Sequence, residues 1–196
     1  MRIYPETASQ TAGPYVHIGC TPNFAGLSGL YDADLGAQMV REGAEGRRIT
    51  LTGRIFDGAG DVLRDALVEA WQPDAAGRFA GQPEADPQVT GFGRCPCDAE
   101  TGLFRFETIK PGLVAWPEGG IQAPHVSLWI VARGINIGLQ TRVYFADEER
   151  ANAADPVLSQ LPEARARTLL AQPRGAGEYH LDIHLQGPDE TVFFAV

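Results

Sequence analysis

The sequence predicts an all-β fold, a β-sandwich of two mainly antiparallel sheets with an extended N-terminal arm and one or two short helices. Short segments in which apolar and polar residues alternate recur along the chain, and strands that bury one face have this period. The 196 residues include 23 glycines and 14 prolines, residue types that favour turns between strands. The length suits a single domain.

The clearest strand is RRITLTGRIF at residues 47–56, where Ile49, Leu51 and Ile55 point to one face and polar residues to the other. Six further segments have the composition of strands: 66–72, 103–109, 125–132, 139–145, 179–186 and 191–195. Seven short strands separated by turn residues are typical of a sandwich.

Two helices are predicted beside the strands. The first covers residues 32–42 and has a weak pattern. The second covers residues 161–173, with Pro162 in its first turn and Pro173 at its end, because proline is tolerated at the start of a helix and stops it elsewhere. Both helices should lie outside the sheets.

The chain divides into an extended N-terminal arm at residues 1–31 and a sandwich domain at residues 32–196. The arm is rich in Gly, Pro, Ser and Thr but keeps several aromatic residues, which disordered segments rarely do. These residues are Tyr4, Tyr15, Phe24 and Tyr31. We expect the arm to pack its rings against another surface, such as a second chain.

Charge and composition exclude several classes of partner. The formal net charge is −9, from 16 Lys and Arg against 25 Asp and Glu, and this charge repels nucleic acids and anionic membranes. The sequence also has no apolar run of the roughly 20 residues that cross a bilayer. Cys20, Cys95 and Cys97 are odd in number and lack the spacing of a zinc or redox motif. A cytoplasmic chain with reduced thiols is expected.

The segment DAETGLFRFETIKPG at residues 98–112, the preceding TGFGRCPCD and the later histidine-containing strand resemble the intradiol aromatic-ring dioxygenases. The order of elements is also similar, from residue 47 to the ending GPDETVFFAV. The resemblance covers most of the chain and implies the sandwich fold of that family.

The resemblance implies four ligands for one non-heme ferric ion in the catalytic chains, two tyrosinates and an H-x-H pair of histidines. Tyrosinate is a hard, charged donor that suits Fe(III). Here the tyrosine position after KPG is Val114, and the H-x-H pair is His125 and Ser127. No tyrosine occurs between Tyr31 and Tyr144, and Gln122 stands at the position of the family's arginine. We therefore expect no iron in this chain, and a hydrogen-bonded, buried or interface role for His125.

An iron-free chain of this family implies a partner, a sister beta chain that holds the Fe(III). The expected substrate is an aromatic diol that carries a carboxylate. The residues carried over from the resemblance to substrate binding are Thr11, Gly13, Pro14, Tyr15 and Arg133. A guanidinium suits a carboxylate, and a tyrosine ring can pack on an aromatic substrate. Without the resemblance, Arg133 would be taken for a solvated arginine at a hairpin.

Two alternatives stay open from the residues alone. His180, Asp182 and His184 alternate along one predicted strand and could form a two-histidine, one-carboxylate metal site. Same-face residues lie roughly 6.6 to 6.8 Å apart along a strand, so a polar solvent face is the simpler interpretation. The second alternative is a non-enzymatic β-sandwich binding module. The resemblance leaves a third, a catalytically active single-chain dioxygenase with unusual ligands, which would require iron in the purified chain.

Overall fold

The computed structural model describes residues 11–195. They contain twelve strands and four short helices, joined by turns and loops. The strands are β1 (Arg48–Gly53), β2 (Ile55–Phe56), β3 (Leu67–Trp71), β4 (Phe92–Pro96), β5 (Phe104–Ile109), β6 (Val114–Ala115), β7 (Ile121–Gln122), β8 (His125–Val131), β9 (Leu139–Phe145), β10 (Leu170–Gly175), β11 (Glu178–His180) and β12 (Ile183–His184). The helices are α1 (Pro14–Cys20), α2 (Glu149–Ala153), the 3-10 turn Leu158–Gln160 and α3 (Glu163–Arg167).

Eight strands are hydrogen-bonded in the order β4-β3-β8-β9-β10-β11-β1-β5. Strand β10 joins the two halves, because Leu170 and Ala171 pair with β9 and the following residues pair with β11. The pairs β1–β11, β9–β10 and β2–β12 are parallel and the other pairs are antiparallel. The predicted all-β, mainly antiparallel fold is confirmed.

The main core lies between the two halves of the sheet. It includes Val68 of β3, Leu128 of β8 and Val143 of β9 from one half, and Leu51 of β1 and Phe104 of β5 from the other. All five side chains are fully buried, which is the arrangement of two faces packed in a sandwich. A smaller cluster lies on the other face of β9 and includes Ala123, Tyr144, Leu158, Leu169 and Val192.

The predicted helix at residues 32–42 is wrong. This segment is irregular and is tied to β4 and the chain before it. The Arg94 amide donates to the Gly36 carbonyl, and the Thr90 amide donates to the Met39 carbonyl. Met39 is buried in the main core, so tertiary contacts outweigh the weak helical propensity.

The second predicted helix is also partly wrong. Only Glu163–Arg167 is helical, and residues 170–175 form β10, which contains Pro173. The register of β10 shifts just after this proline, and irregular strand positions tolerate a residue that cannot donate a hydrogen bond.

The two C-terminal segments are less regular than predicted. The segment 179–186 is split between β11 and β12, and residues 191–195 form only a bridge from Phe194 to Gln140.

Of the predicted arm, residues 1–10 lie outside the described part, and residues 14–20 form α1. Within residues 11–195, no helix is both long enough and apolar enough to cross a membrane.

Candidate functional site

Arg133 lies in the turn that follows β8, and its side chain is 79% exposed. Its Nε lies 3.5 Å from Oδ2 of Asp65. The turn contains Gly134 at φ +86°, a backbone conformation that favours glycine. A depression of about 380 Å³ beside Arg133 is lined by residues 61–65. The guanidinium is therefore available to a ligand that can compete with one exposed carboxylate.

The structure brings Thr11 to the backbone on both sides of Arg133. Its Oγ1 donates to the Ala132 carbonyl at 3.2 Å and accepts from the Gly134 amide at 2.6 Å. These residues are more than 120 positions apart in the sequence. The N-terminal segment is thus attached to the turn that carries the candidate carboxylate-binding arginine.

Helix α1 continues from this attachment, with Gly13 at its N-cap and Pro14 in its first turn. The side chain of Tyr15 is 84% exposed. His17 Nε2 donates to the Asp65 carbonyl at 3.0 Å, so Asp65 contacts α1 through its backbone and Arg133 through its carboxylate. Of the predicted substrate residues, Thr11 and Arg133 therefore share one surface, and α1 is bonded to its edge.

Another part of the structure holds three positions that correspond to metal ligands in the resemblance, Val114, His125 and Ser127, together with Gln122 at the position of the family's arginine. Val114 and Gln122 are paired across the β6–β7 hairpin. His125 and Ser127 lie on the face of β8 opposite the main core, because Val126 and Leu128 point into that core. The β6–β7 hairpin is a separate two-stranded sheet, whereas β8 belongs to the eight-stranded sheet.

The residues across from the H-x-H positions belong to β9. Ser127 is directly opposite Arg142, and His125 is directly opposite Tyr144. Arg142 Nη1 donates to Gln122 Oε1 at 2.8 Å and to the Tyr144 hydroxyl at 3.2 Å. The guanidinium carbon also lies 5.7 Å from the ring centroid of Phe194, within reach of a cation–π interaction.

The Asp155 carboxylate lies beside Tyr144 and accepts four hydrogen bonds. Its Oδ1 accepts from the amides of Val157 and Leu158, each at 2.8 Å, and from the Tyr144 hydroxyl at 3.4 Å. Its Oδ2 accepts from the Ala123 amide at 2.8 Å. Asp155 is fully buried, so these four donors replace the water that a carboxylate would otherwise bind. We call Gln122, His125, Arg142, Tyr144 and Asp155 the Arg142 cluster.

Burial keeps two members of the Arg142 cluster neutral near pH 7. It lowers the pKa of His125 to about 4, and the positive charge of Arg142 acts in the same direction. Burial also raises the pKa of Tyr144 to about 12, so its phenol keeps its proton. His125 Nδ1 donates to the Ala123 carbonyl at 2.8 Å, which places the ring's lone pair on Nε2. His125 is 4% exposed, in agreement with the predicted buried histidine.

Sequence reasoning missed Arg142, Tyr144 and Asp155. A signal for the first two was present, because β8 and β9 form a hairpin and counting outward from its turn pairs position 127 with position 142. Asp155 gave no such signal, because its partners come from β9 and two separate loops.

The alternative constellation of His180, Asp182 and His184 does not converge. His180 Nε2 lies 3.0 Å from Asp182 Oδ1, and its Nδ1 lies 2.9 Å from the Thr52 hydroxyl. The ring of His184 instead stacks on Phe56, with centroids 5.0 Å apart. Among residues 11–195 no group of three or more His, Cys, Asp and Glu side chains is placed to hold a metal ion.

A family model described as "Dioxygenase" matches residues 20–187, which is most of the chain. The fold is also similar to the crystal structure of 3-chlorocatechol 1,2-dioxygenase from Rhodococcus opacus 1CP, with a TM-score of 0.60, 22% identity, and coverage of 77% of this chain and 65% of that one. The chain belongs to the intradiol ring-cleavage dioxygenase family.

Within the family, the chain is similar to two alpha chains of protocatechuate 3,4-dioxygenase. It is 40% identical to the one from Pseudomonas putida, over 99% of this chain and 98% of that protein. It is 42% identical to the one from Burkholderia cepacia, over the full length of both. Similarity to the beta chain from Burkholderia cepacia is lower, 35% over 83% of this chain and 75% of that protein.

The residues of this chain do not fit the ferric ion of the family. The Val114 side chain has no atom that can bind a metal. The side-chain amide oxygen of Gln122 already accepts a hydrogen bond from Arg142. Ser127 supplies only a hydroxyl, and Tyr144 remains a neutral phenol. One imidazole nitrogen, Nε2 of His125, is left as a possible ligand. An ion that needs several charged oxygen and nitrogen donors finds no such set here.

Proposed function

We propose that this chain is the iron-free, alpha-type subunit of a mixed protocatechuate 3,4-dioxygenase. A beta-type sister chain would hold the Fe(III). The complex would insert both atoms of dioxygen between the two hydroxylated ring carbons of protocatechuate to give 3-carboxy-cis,cis-muconate. One observation carries the proposal: the chain matches two alpha chains over its full length. The lack of ligands at positions 114 and 127 agrees with this role.

In this assembly Arg133 would bind the carboxylate of protocatechuate. The guanidinium is exposed, and its salt-bridge partner Asp65 is exposed as well. A planar guanidinium matches a carboxylate with two parallel hydrogen bonds. The partner's chemistry takes place at the opposite end of the ring, so this chain would orient the substrate rather than react with it.

Thr11, Gly13, Pro14 and Tyr15 would line the same pocket. Thr11 is hydrogen-bonded beside Arg133, and the exposed ring of Tyr15 is free to pack on a flat aromatic substrate. On this chain alone the surface around Arg133 is open to solvent. A second chain would therefore be needed to close the pocket.

The N-terminal arm, residues 1–31, would bind the partner chain, and residues 32–196 would form the sandwich domain. Large apolar side chains are exposed along the arm and just beyond it. They are Tyr15, Ile18, Phe24, Leu27, Leu30, Tyr31 and Leu35, with exposed fractions between 41% and 84%. Such a concentration of exposed apolar residues is typical of an interface. We place the complex in the cytoplasm, where its three free cysteines stay reduced.

A second candidate function, a non-enzymatic binding module, is favoured by one groove of about 360 Å³. Trp71, Phe92 and Trp129 line it, and Trp71 is 43% exposed and stacked on Phe79. Aromatic grooves of this kind bind flat ligands or extended chains. This function requires no iron in a partner.

Expression of the chain alone and together with its sister chain tests both functions. Each purified sample is assayed for iron, for tyrosinate-to-iron absorption and for oxygen uptake with protocatechuate. We expect iron and activity only in the mixed complex. Iron in the chain expressed alone would contradict the proposal. A mixed complex that has iron but does not consume oxygen, or the absence of any stable complex, would favour the binding module.

A further inference from the structure

We propose that Arg142 is an internal cation that excludes a ferric ion from the family's metal position. The inference rests on the proposed iron-free function and gives it a physical cause beyond the missing ligands. Replacing Val114 by tyrosine and Ser127 by histidine would then not suffice to bind iron. Arg142 would have to be removed as well.

The position of Arg142 is fixed by the hairpin and not by a flexible side chain alone. It is opposite Ser127 in the β8–β9 register, so a histidine at position 127 would project from the same face as the guanidinium. Nη1 of Arg142 contacts Gln122, which is itself paired with Val114. Arg142 is therefore directly opposite one of the two positions to be restored, and its guanidinium contacts the cross-strand partner of the other.

The charges of the Arg142 cluster are already balanced. Arg142 is positive and the Asp155 carboxylate is negative, while burial keeps His125 and Tyr144 neutral. A trivalent cation would therefore enter a partly desolvated site whose charges already cancel. Inside that site it would meet the fixed positive charge of Arg142. Repulsion between like charges is strong in such surroundings, because little water is present to screen it.

The guanidinium also links elements that adjoin the ligand positions of the family. Through Gln122 it contacts β7, and through the Tyr144 hydroxyl it is linked to Asp155 and the turn at residues 155–158. Phe194 covers its other side. Arg142 thus holds together the walls of the site without any metal, and the two roles cannot be filled at once.

The test uses the complete mixed complex and compares two variants of this chain. The first is Val114→Tyr with Ser127→His, which together with His125 supplies three of the family's four ligands and leaves the fourth position to water. The second adds Arg142→Gln. Iron per alpha–beta pair is measured by metal analysis, and a new ferric–tyrosinate absorption is measured by visible spectroscopy. We expect one iron per pair in the first variant, as in the wild type, and a second iron with additional absorption in the second variant.

Arg142→Gln alone, and a version of the second variant with Arg142→Met, are the matched controls. Methionine keeps an apolar stem against Phe194, so it preserves packing if glutamine does not. Extra iron in the variant that retains Arg142 overturns the inference, as does the lack of extra iron in both Arg142-free versions. Failure of both versions to assemble also overturns it, because Arg142 would then be required for folding. By contrast, a second iron per alpha–beta pair in the wild-type complex would contradict the proposed iron-free function itself.

Discussion

Arg133→Ala in the mixed complex should reduce kcat/KM for protocatechuate by about 2- to 140-fold. A charge-assisted hydrogen bond to a carboxylate contributes about 1.5 to 3 kcal/mol. In the free enzyme Arg133 is paired with Asp65 at 3.5 Å on an exposed surface, and loss of such a pair on substrate binding costs about 0 to 1 kcal/mol. The net contribution is about 0.5 to 3 kcal/mol, and about 1.4 kcal/mol corresponds to a tenfold change.

The assay compares protocatechuate with catechol, which has the same hydroxyl groups but no carboxylate. Only protocatechuate should be affected strongly, because only it can use the guanidinium. Arg105→Ala is the control variant, since Arg105 is an exposed arginine on β5 that pairs with Glu107 away from this surface. Equal losses for both substrates, or no loss for protocatechuate, would refute the assignment of Arg133 to carboxylate recognition.

Three further predictions concern neighbouring or buried groups. Asp65→Asn should lower KM for protocatechuate by about 2- to 5-fold, since it removes a competing exposed carboxylate worth about 0.5 to 1 kcal/mol; an increased KM would show that Asp65 positions Arg133 instead. Tyr15→Ala should raise KM for protocatechuate and catechol alike, because ring packing does not depend on the carboxylate, and an effect on one substrate alone would contradict this role. The pKa of His125 is lowered from 6.5 to about 4 by burial in the folded chain. Between pH 4 and 6.5 the unfolded chain therefore binds more protons at His125 than the folded chain does. Stability to urea should therefore fall by up to about 3 kcal/mol as the pH drops from 6.5 to 4; His125→Gln should flatten this dependence, and an unchanged slope would contradict the assignment.

Much of the sheet could be predicted from the sequence, because alternation of apolar and polar residues is a local property. The predicted strand at 139–145 has the observed bounds, and the one at 125–132 is one residue too long. The helices predicted at 32–42 and 161–173 depended on propensity without long-range contacts. Pairing with β4 and with β9 decides those segments, and no local pattern contains that information.

Some features of the candidate sites could likewise be predicted from the sequence, and others could not. The missing ligands at Val114 and Ser127 could be found from the resemblance to the family, because the family's motifs keep their order along this chain. The bond between Thr11 and the Arg133 turn could not be found, because it joins residues more than 120 positions apart. The contact of Arg142 with Gln122 depends on how the β6–β7 hairpin lies beside β9, which is a property of the folded sheet.

The central claim is that this chain lacks iron and depends on the iron of a partner. Anomalous diffraction from crystals of the mixed complex, recorded above and below the iron absorption edge, tests it most directly. We predict a strong iron peak in the sister chain and none within bonding distance of His125 Nε2. An anomalous iron peak within bonding distance of that nitrogen would contradict this claim.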